Sequence, residues 1–190
     1  MLTACGSTTQ KRLESYCARM VQSQNMTMTA RLQADFDETV ENYTLKYSFD
    51  GQQWTVLVTE PPFVSGITAR IGKDASELEY DGAILTTGDL TGNGIVPISA
   101  MPLVYETLCV GMLDCVWEEG DKIAATYVYD DAISVSVWFD SAGNPVAAEL
   151  AEHGIVKAKC LLEDVEIKEA NHGATEEADL GGNQSGESGT

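Results

Sequence analysis

Five cysteines and two histidines hold most of the reactive chemistry available to this sequence: Cys5, Cys17, Cys109, Cys115, Cys160, His153 and His172. Zinc sites are commonly built from close pairs such as Cys-x-x-Cys, and no two of these cysteines have that spacing. Cys160 could act as a nucleophile only beside an oriented base. His153 precedes Gly154 at a turn between alternating segments, where a solvated side chain is the better reading. Glu118, Glu119, Asp121, Asp130 and Asp131 crowd two loops. Paired carboxylates can do acid–base work, but at turns they read as solvated charge. Asp89, Thr91, Asn93 and Gly94 match the first half of a calcium loop, with acid, hydroxyl and amide at alternate positions before the glycine. The last position of such a loop needs a bidentate acid and is Ala100 here, so a glycine-rich connection is expected instead. No Gly-x-Ser-x-Gly, His-Glu-x-x-His or phosphate loop occurs. The sequence therefore points to no catalytic residue, no metal site and no cofactor.

The bulk composition narrows the classes further. The chain has 190 residues, 44% of them hydrophobic and 22% charged, enough for one domain with its own core. The 30 acidic and 11 basic residues leave a net charge of −19. Nucleic-acid binding needs a basic footprint, so DNA and RNA are excluded as partners. No apolar run approaches the ~18 residues that span a bilayer.

At the amino terminus, Leu2-Thr3-Ala4-Cys5-Gly6-Ser7 resembles a bacterial lipobox, in which the cysteine becomes the first mature residue and carries acyl chains. The resemblance implies Cys5 as a lipid-attachment site, with a signal region upstream of Met1. Gly6 to Thr9 reads as a spacer, and Lys11, Arg12 and Arg19 would then lie close to an anionic lipid surface. Four thiols remain: Cys17, Cys109, Cys115 and Cys160. Outside the cytoplasm they could pair, or they could stay buried and free; sequence alone does not assign a pairing.

The elements that position these residues follow from periodicity. From Met26 to Phe36, apolar and polar side chains alternate without a break, so a strand would have one dry face and one wet one. The alternation returns in Tyr43–Phe49, Trp54–Thr59, Ile133–Phe139 and Val146–Leu150. Asp50-Gly51 and Asp81-Gly82 are hairpin signals, and Pro61-Pro62 stops a strand. Two segments change period. Leu13, Tyr16, Cys17, Met20 and Val21 form a helical stripe within Gln10–Gln24, with Thr8 or Thr9 as a cap. Met101, Tyr105, Leu108 and Met112 form another within Pro97–Val116. Near the end, the parity of the last strand slips between Leu162 and Val165, which predicts a bulge at Glu163-Asp164. The expectation is an α+β fold: a curved antiparallel meander of about ten strands, a half-barrel, wrapping an N-terminal helix and an inserted helix. Residues 1–9 would be a tether, 10–170 the domain and 171–190 a disordered acidic tail.

This order of elements resembles the LolA/LolB/LppX-like lipoprotein carriers. It does so in the Tyr43-x-Leu45-x-Tyr47-x-Phe49 and Trp54-x-Val56-x-Val58 strands, the Pro61-Pro62 stop, the Pro102-led helix and the turn from Asp140 to Pro145. It is similar also to lipoproteins of that fold in Gram-positive spore-formers, some tied to germination. The resemblance implies an apolar cavity between sheet and helices that accepts acyl chains. Phe36, Tyr47, Trp54, Val56, Val135 and Val137 would form its wall, and each ~100 Å² removed from water would favour binding by about 2.5 kcal/mol. The competing reading is a filled core, with the same residues packed against Leu13, Tyr16, Met20, Leu108 and Met112. The expected function is that of a non-enzymatic, membrane-anchored, extracytoplasmic lipoprotein. Its partners would be the membrane through the N-terminal lipid, a lipid or hydrophobic small molecule, an envelope protein, or a second copy joined through exposed strand edges.

Overall fold

A computed structural model of the protein describes residues 5–88, 90 and 94–169. Helix α1 (Cys5–Val21) leads into strands β1 (Ser23–Asp35), β2 (Val40–Phe49), β3 (Trp54–Glu60), β4 (Thr68–Ile71), β5 (Ser76–Tyr80) and β6 (Ala83–Thr87). A 3-10 turn (Pro97–Ser99) and helix α2 (Ala100–Val110) interrupt the strands. They resume as β7 (Met112–Glu119), β8 (Lys122–Val128), β9 (Ile133–Phe139), β10 (Pro145–Glu152) and β11 (Ile155–Glu169). All eleven belong to one antiparallel sheet in the order β6-β5-β4-β3-β2-β1-β11-β10-β9-β8-β7. The sheet is an open half-barrel. Its central seam joins the first strand to the last, and a meander runs outward on either side.

β1 is the axis of this arrangement. Met26, Met28, Ala30, Leu32 and Ala34 are buried, while Thr27, Thr29, Arg31 and Gln33 face the other way, as two-residue periodicity requires. On one edge β1 pairs with β2 from Met26↔Phe49 to Asp35↔Val40 without a shift. On the other edge Thr27 faces Glu166 but Thr29 faces Glu163, so β11 carries one extra residue there. That residue lies within Asp164–Val165, and Asp164 takes the left-handed conformation (φ 52°) that lets the strand absorb it. The parity slip in the sequence marks this bulge.

Three expectations need correction. The helical period through Val116 ends early: α2 stops at Val110 and Gly111 turns the chain into an eleventh strand, β7. A Cβ on Gly111 would lie 2.5 Å from the Thr107 carbonyl oxygen, so only glycine fits this tight exit. Met112 fits the spacing of the helical stripe but is 70% exposed on an edge strand. At the other end, α1 begins at Cys5 rather than Gln10. Thr8 and Thr9 lie inside the helix rather than capping it, and Thr9 is drawn onto β7 by a 2.6 Å hydrogen bond to Glu118 Oε1. Finally, Phe36 follows the end of β1 and is 44% exposed, so it leaves the apolar wall on which alternation placed it. The tail from 170 lies outside the described residues.

The helices lie across the apolar face. Leu13 and Met20 of α1, and Met101, Leu103 and Val104 of α2, are fully buried against the sheet. The turn from Asp140 to Asn144 clasps α1: Tyr16 OH donates to Ser141 O (3.2 Å), and Arg19 donates to Ala142 O (2.9 Å) and to Asn144 Oδ1. Gly143 (φ +79°) sits beneath the Tyr16 ring, where a Cβ would come within 2.4 Å of ring carbon. Gly143→Ala is expected to destabilise the fold by on the order of 1–3 kcal/mol. Leu32→Ala, at the seam, is expected to cost about 3 kcal/mol. Its neighbour change Gln33→Ala, on the outer face, should alter stability by less than about 0.5 kcal/mol. Urea unfolding of the three variants checks all of these.

Candidate functional site

The apolar wall is built from alternate residues of the two arms. Val56 of β3 stands opposite Tyr47 of β2, and Trp54 stands opposite Phe49. Val135 and Val137 occupy the same face of β9, on the far side of the seam. Of the six expected wall residues, Tyr47, Trp54, Val56, Val135 and Val137 are at most 5% exposed, and Phe36 is not among them. Tyr47 and Trp54 meet edge to face at 6.2 Å. The sheet thus separates the set into two groups, and the helices fill the space between them. Tyr47 is fully buried and donates its hydroxyl to Pro97 O at 2.7 Å. Burial, then the nearby Cys160, hold its pKa well above the usual phenol value. The hydrogen bond ties β2 to the turn that starts α2.

At one margin the cover is incomplete. Beside α2 lies an open groove of about 420 Å³ whose floor is aromatic. Phe49 stacks on Trp54 with ring centres 4.9 Å apart, and Tyr105 of α2 leans on both, at 4.9 and 5.8 Å. Tyr105 OH donates to Val21 O, which joins the middle of α2 and the C-terminal end of α1 to this cluster. In the sequence, Phe49 and Tyr105 are visible only as members of a strand face and a helical stripe. The Asp50-Gly51 hairpin, which ends the sheet beside Phe49, is the signal that this edge is open.

The reactive residues are placed for structure. Cys160 is buried on the inward face of β11, and burial pushes its thiol up to about 12. It stays protonated at neutral pH, the opposite of an activated nucleophile. Cys17 is likewise raised by burial, partly offset by the Tyr127 hydroxyl 3.3 Å away. Cys17, Cys109, Cys115 and Cys160 are free thiols. His153 sits in the turn with φ 50°, where its backbone N–H donates to Ala132 O at 2.6 Å. Asp130 accepts from the backbone N–H groups of Ala132 and Ile133, and so shapes its hairpin. Glu118 serves Thr9, and Glu119 accepts from Trp138 Nε1 at 2.8 Å. Among the described residues, no group of three or more His, Cys, Asp or Glu side chains could hold a metal ion. Asp89, Thr91 and Asn93 lie outside the described residues. No described helix is long and apolar enough to cross a membrane.

No protein-family model matches the sequence, and no curated protein matches it. Solved structures do resemble it in fold. An uncharacterized conserved protein from Thermus thermophilus has 10% identity and a TM-score of 0.50, over 88% of this chain and 90% of that one. A LolA superfamily protein from Nitrosomonas europaea has 10% identity and a TM-score of 0.49, over 85% and 94%. Lipoprotein LppX from Mycobacterium tuberculosis has 10% identity and a TM-score of 0.43, over 84% and 96%. At these identities the likeness is one of architecture alone, and the architecture is the open half-barrel of antiparallel strands covered by two helices.

Thiol accessibility tests the placement of the cysteines. Iodoacetamide is expected to label Cys109 and Cys115 in the folded protein, and Cys17 and Cys160 only after denaturation; peptide mass spectrometry reads the sites. Cys109 lies on α2, where partial desolvation of its thiol raises its pKa. Less thiolate is therefore present at a given pH, and its labelling rate should still be climbing at alkaline pH where that of a free thiol has levelled off.

Proposed function

We propose that the protein is a lipid-anchored, extracytoplasmic and non-enzymatic lipoprotein that docks an envelope protein, with its interior filled by its own helices. The observation that carries this reading is the covered wall: Leu13, Met20, Met101, Leu103 and Val104 occupy, fully buried, the space that a carried acyl chain would need. A protein fixed by a lipid at Cys5 has little use for a shuttle's cavity, so the packed interior and the lipobox support the same role. The burial of Cys160 and the structural use of the acidic loop residues support a non-enzymatic reading.

A second reading has its own observation. The aromatic groove at Phe49, Trp54 and Tyr105 is of a size that suits a small ligand and could take the end of a hydrophobic molecule. Organic extraction of protein purified from native membranes, followed by mass spectrometry, separates the two. The docking reading expects only the lipid on the amino terminus, whereas a stoichiometric non-covalent lipid supports the ligand reading. Expressed behind a lipoprotein signal peptide, Cys5→Ser is expected to abolish labelling by an alkyne fatty acid and to move the protein to the soluble fraction. A Cys5→Ser variant that stays labelled and membrane-bound overturns the anchor.

A further inference from the structure

The outer face of the sheet has a second set of residues that the packed interior does not use. Register aligns them in rows across the strands. Trp138 of β9 stands between Ala124 of β8 and Ala147 of β10. Ala147 faces Leu161 of β11, Leu161 faces Arg31 of β1, and Arg31 faces Thr44 of β2. Along the next row, Ser136 faces Glu149, Glu149 faces Lys159, Lys159 faces Gln33, and Gln33 faces Asn42. A groove of about 640 Å³ runs over these rows, and its lining reaches from Glu60 of β3 to Glu119 of β7. A solvent-facing sheet surface is ordinarily bristling with side chains. Here Ala147 leaves the floor low beside a tryptophan.

The tryptophan is fixed in place. Trp138 Nε1 donates to Glu119 Oε2 at 2.8 Å, and Trp117 meets its ring edge to face at 5.7 Å and 89°. With the indole N–H already used, what Trp138 offers the groove is ring surface. Two basic side chains over the groove are already paired: Lys159 with Glu149 at 3.3 Å and Arg31 with Glu163 at 3.2 Å. Glu60 accepts from Thr44 and Glu119 from Trp138, so the lining presents acceptors as well as donors. An acyl chain would desolvate Glu149, Lys159, Gln33 and Asn42 with nothing to replace their water. A nucleic acid would meet Glu60, Glu119 and Glu149 on a chain of net charge −19. A folded protein partner needs about 800 Å² of complementary contact, which a recessed polar groove does not offer. A sugar ring has an apolar C–H face and a rim of hydroxyls, and it matches both parts of this lining.

We propose that this outer groove is a carbohydrate-binding site for a neutral saccharide chain. One sugar ring packs against Trp138, and neighbouring hydroxyls bond to Glu149, Lys159, Gln33 and Asn42. The site goes beyond the docking role and does not rest on it.

The test uses the full chain with chitotetraose, cellotetraose and maltotetraose as probes, read by tryptophan fluorescence and titration calorimetry. Saturable binding of at least one probe is expected, with Kd between about 10 μM and 1 mM. Trp138→Ala should weaken it by at least about tenfold, a clear change in binding free energy. Trp138→Phe, which keeps a ring, should retain part of the affinity. Ala147→Met should block binding by raising the floor, with the same thermal unfolding midpoint as the parent protein, so a loss of folding is not mistaken for a loss of the site. Ile84→Ala, at an exposed position on edge strand β6 outside the lining, should leave binding unchanged. The proposal is overturned if no probe saturates at about 10 mM, or if binding survives both Trp138→Ala and Ala147→Met. It is overturned equally if the probes do not bind and Trp138→Ala instead abolishes association with a protein partner.

Discussion

A strand that is hydrogen-bonded along both edges has only its two faces left to satisfy, and β1 is in that position, held by β2 on one side and β11 on the other. Its register fixes which side chains of both neighbours turn inward. A slip of one residue would carry Met26, Met28 and Leu32 to solvent and bring Arg31 into the core. Where the two meanders meet, β11 holds one extra residue opposite Thr27–Thr29, and Asp164 in its left-handed conformation absorbs it. The apolar wall, the seating of both helices and the composition of the outer face all inherit this register.

The apolar face of the sheet is covered by side chains of the two helices. Large side chains on the sheet, Tyr47 and Phe139 among them, meet large side chains on the helices, and both sets are buried. The polar groups drawn inside are used to lock the cover: Tyr47 to the turn before α2, Tyr105 to the end of α1, and Tyr16 and Arg19 to the β9–β10 turn. Each bond joins elements distant in sequence, so the helices are held as part of the core rather than as a lid. What opens at the margin is the Phe49–Trp54–Tyr105 groove, where α2 runs past the end of β2.

Most of the sheet could be read in the sequence because alternation is unambiguous where one face is dry. Tyr43 to Phe49 and Ile133 to Phe139 are examples, and the bulge showed itself as a break in the same rule. Legibility failed where that signal weakens. β7 is an edge strand with little burial on either face, so its residues followed the helical count of α2 until Gly111, whose tight contact with Thr107 no periodicity reveals. Phe36 kept the alternation but lay one step beyond the strand that gave it meaning. The outer groove was hidden for a different reason. Trp138 could be assigned outward, but its neighbours Ala147, Leu161 and Arg31 come from three other strands, and only the β1–β11 pairing brings them into line.

The seam has one more consequence, for how the molecule can be made. A chain released from its amino end can zip β1 to β6 into a partial sheet, but β1 then shows a bare hydrogen-bonding edge until residues 155–169 arrive to dock on it. Completion therefore waits for residues 155–169, because the contacts between Met26 and Ile167 span nearly the whole domain and local ones cannot substitute for them. Until that strand docks, the edge of β1 is a ready template for any other strand that meets it first.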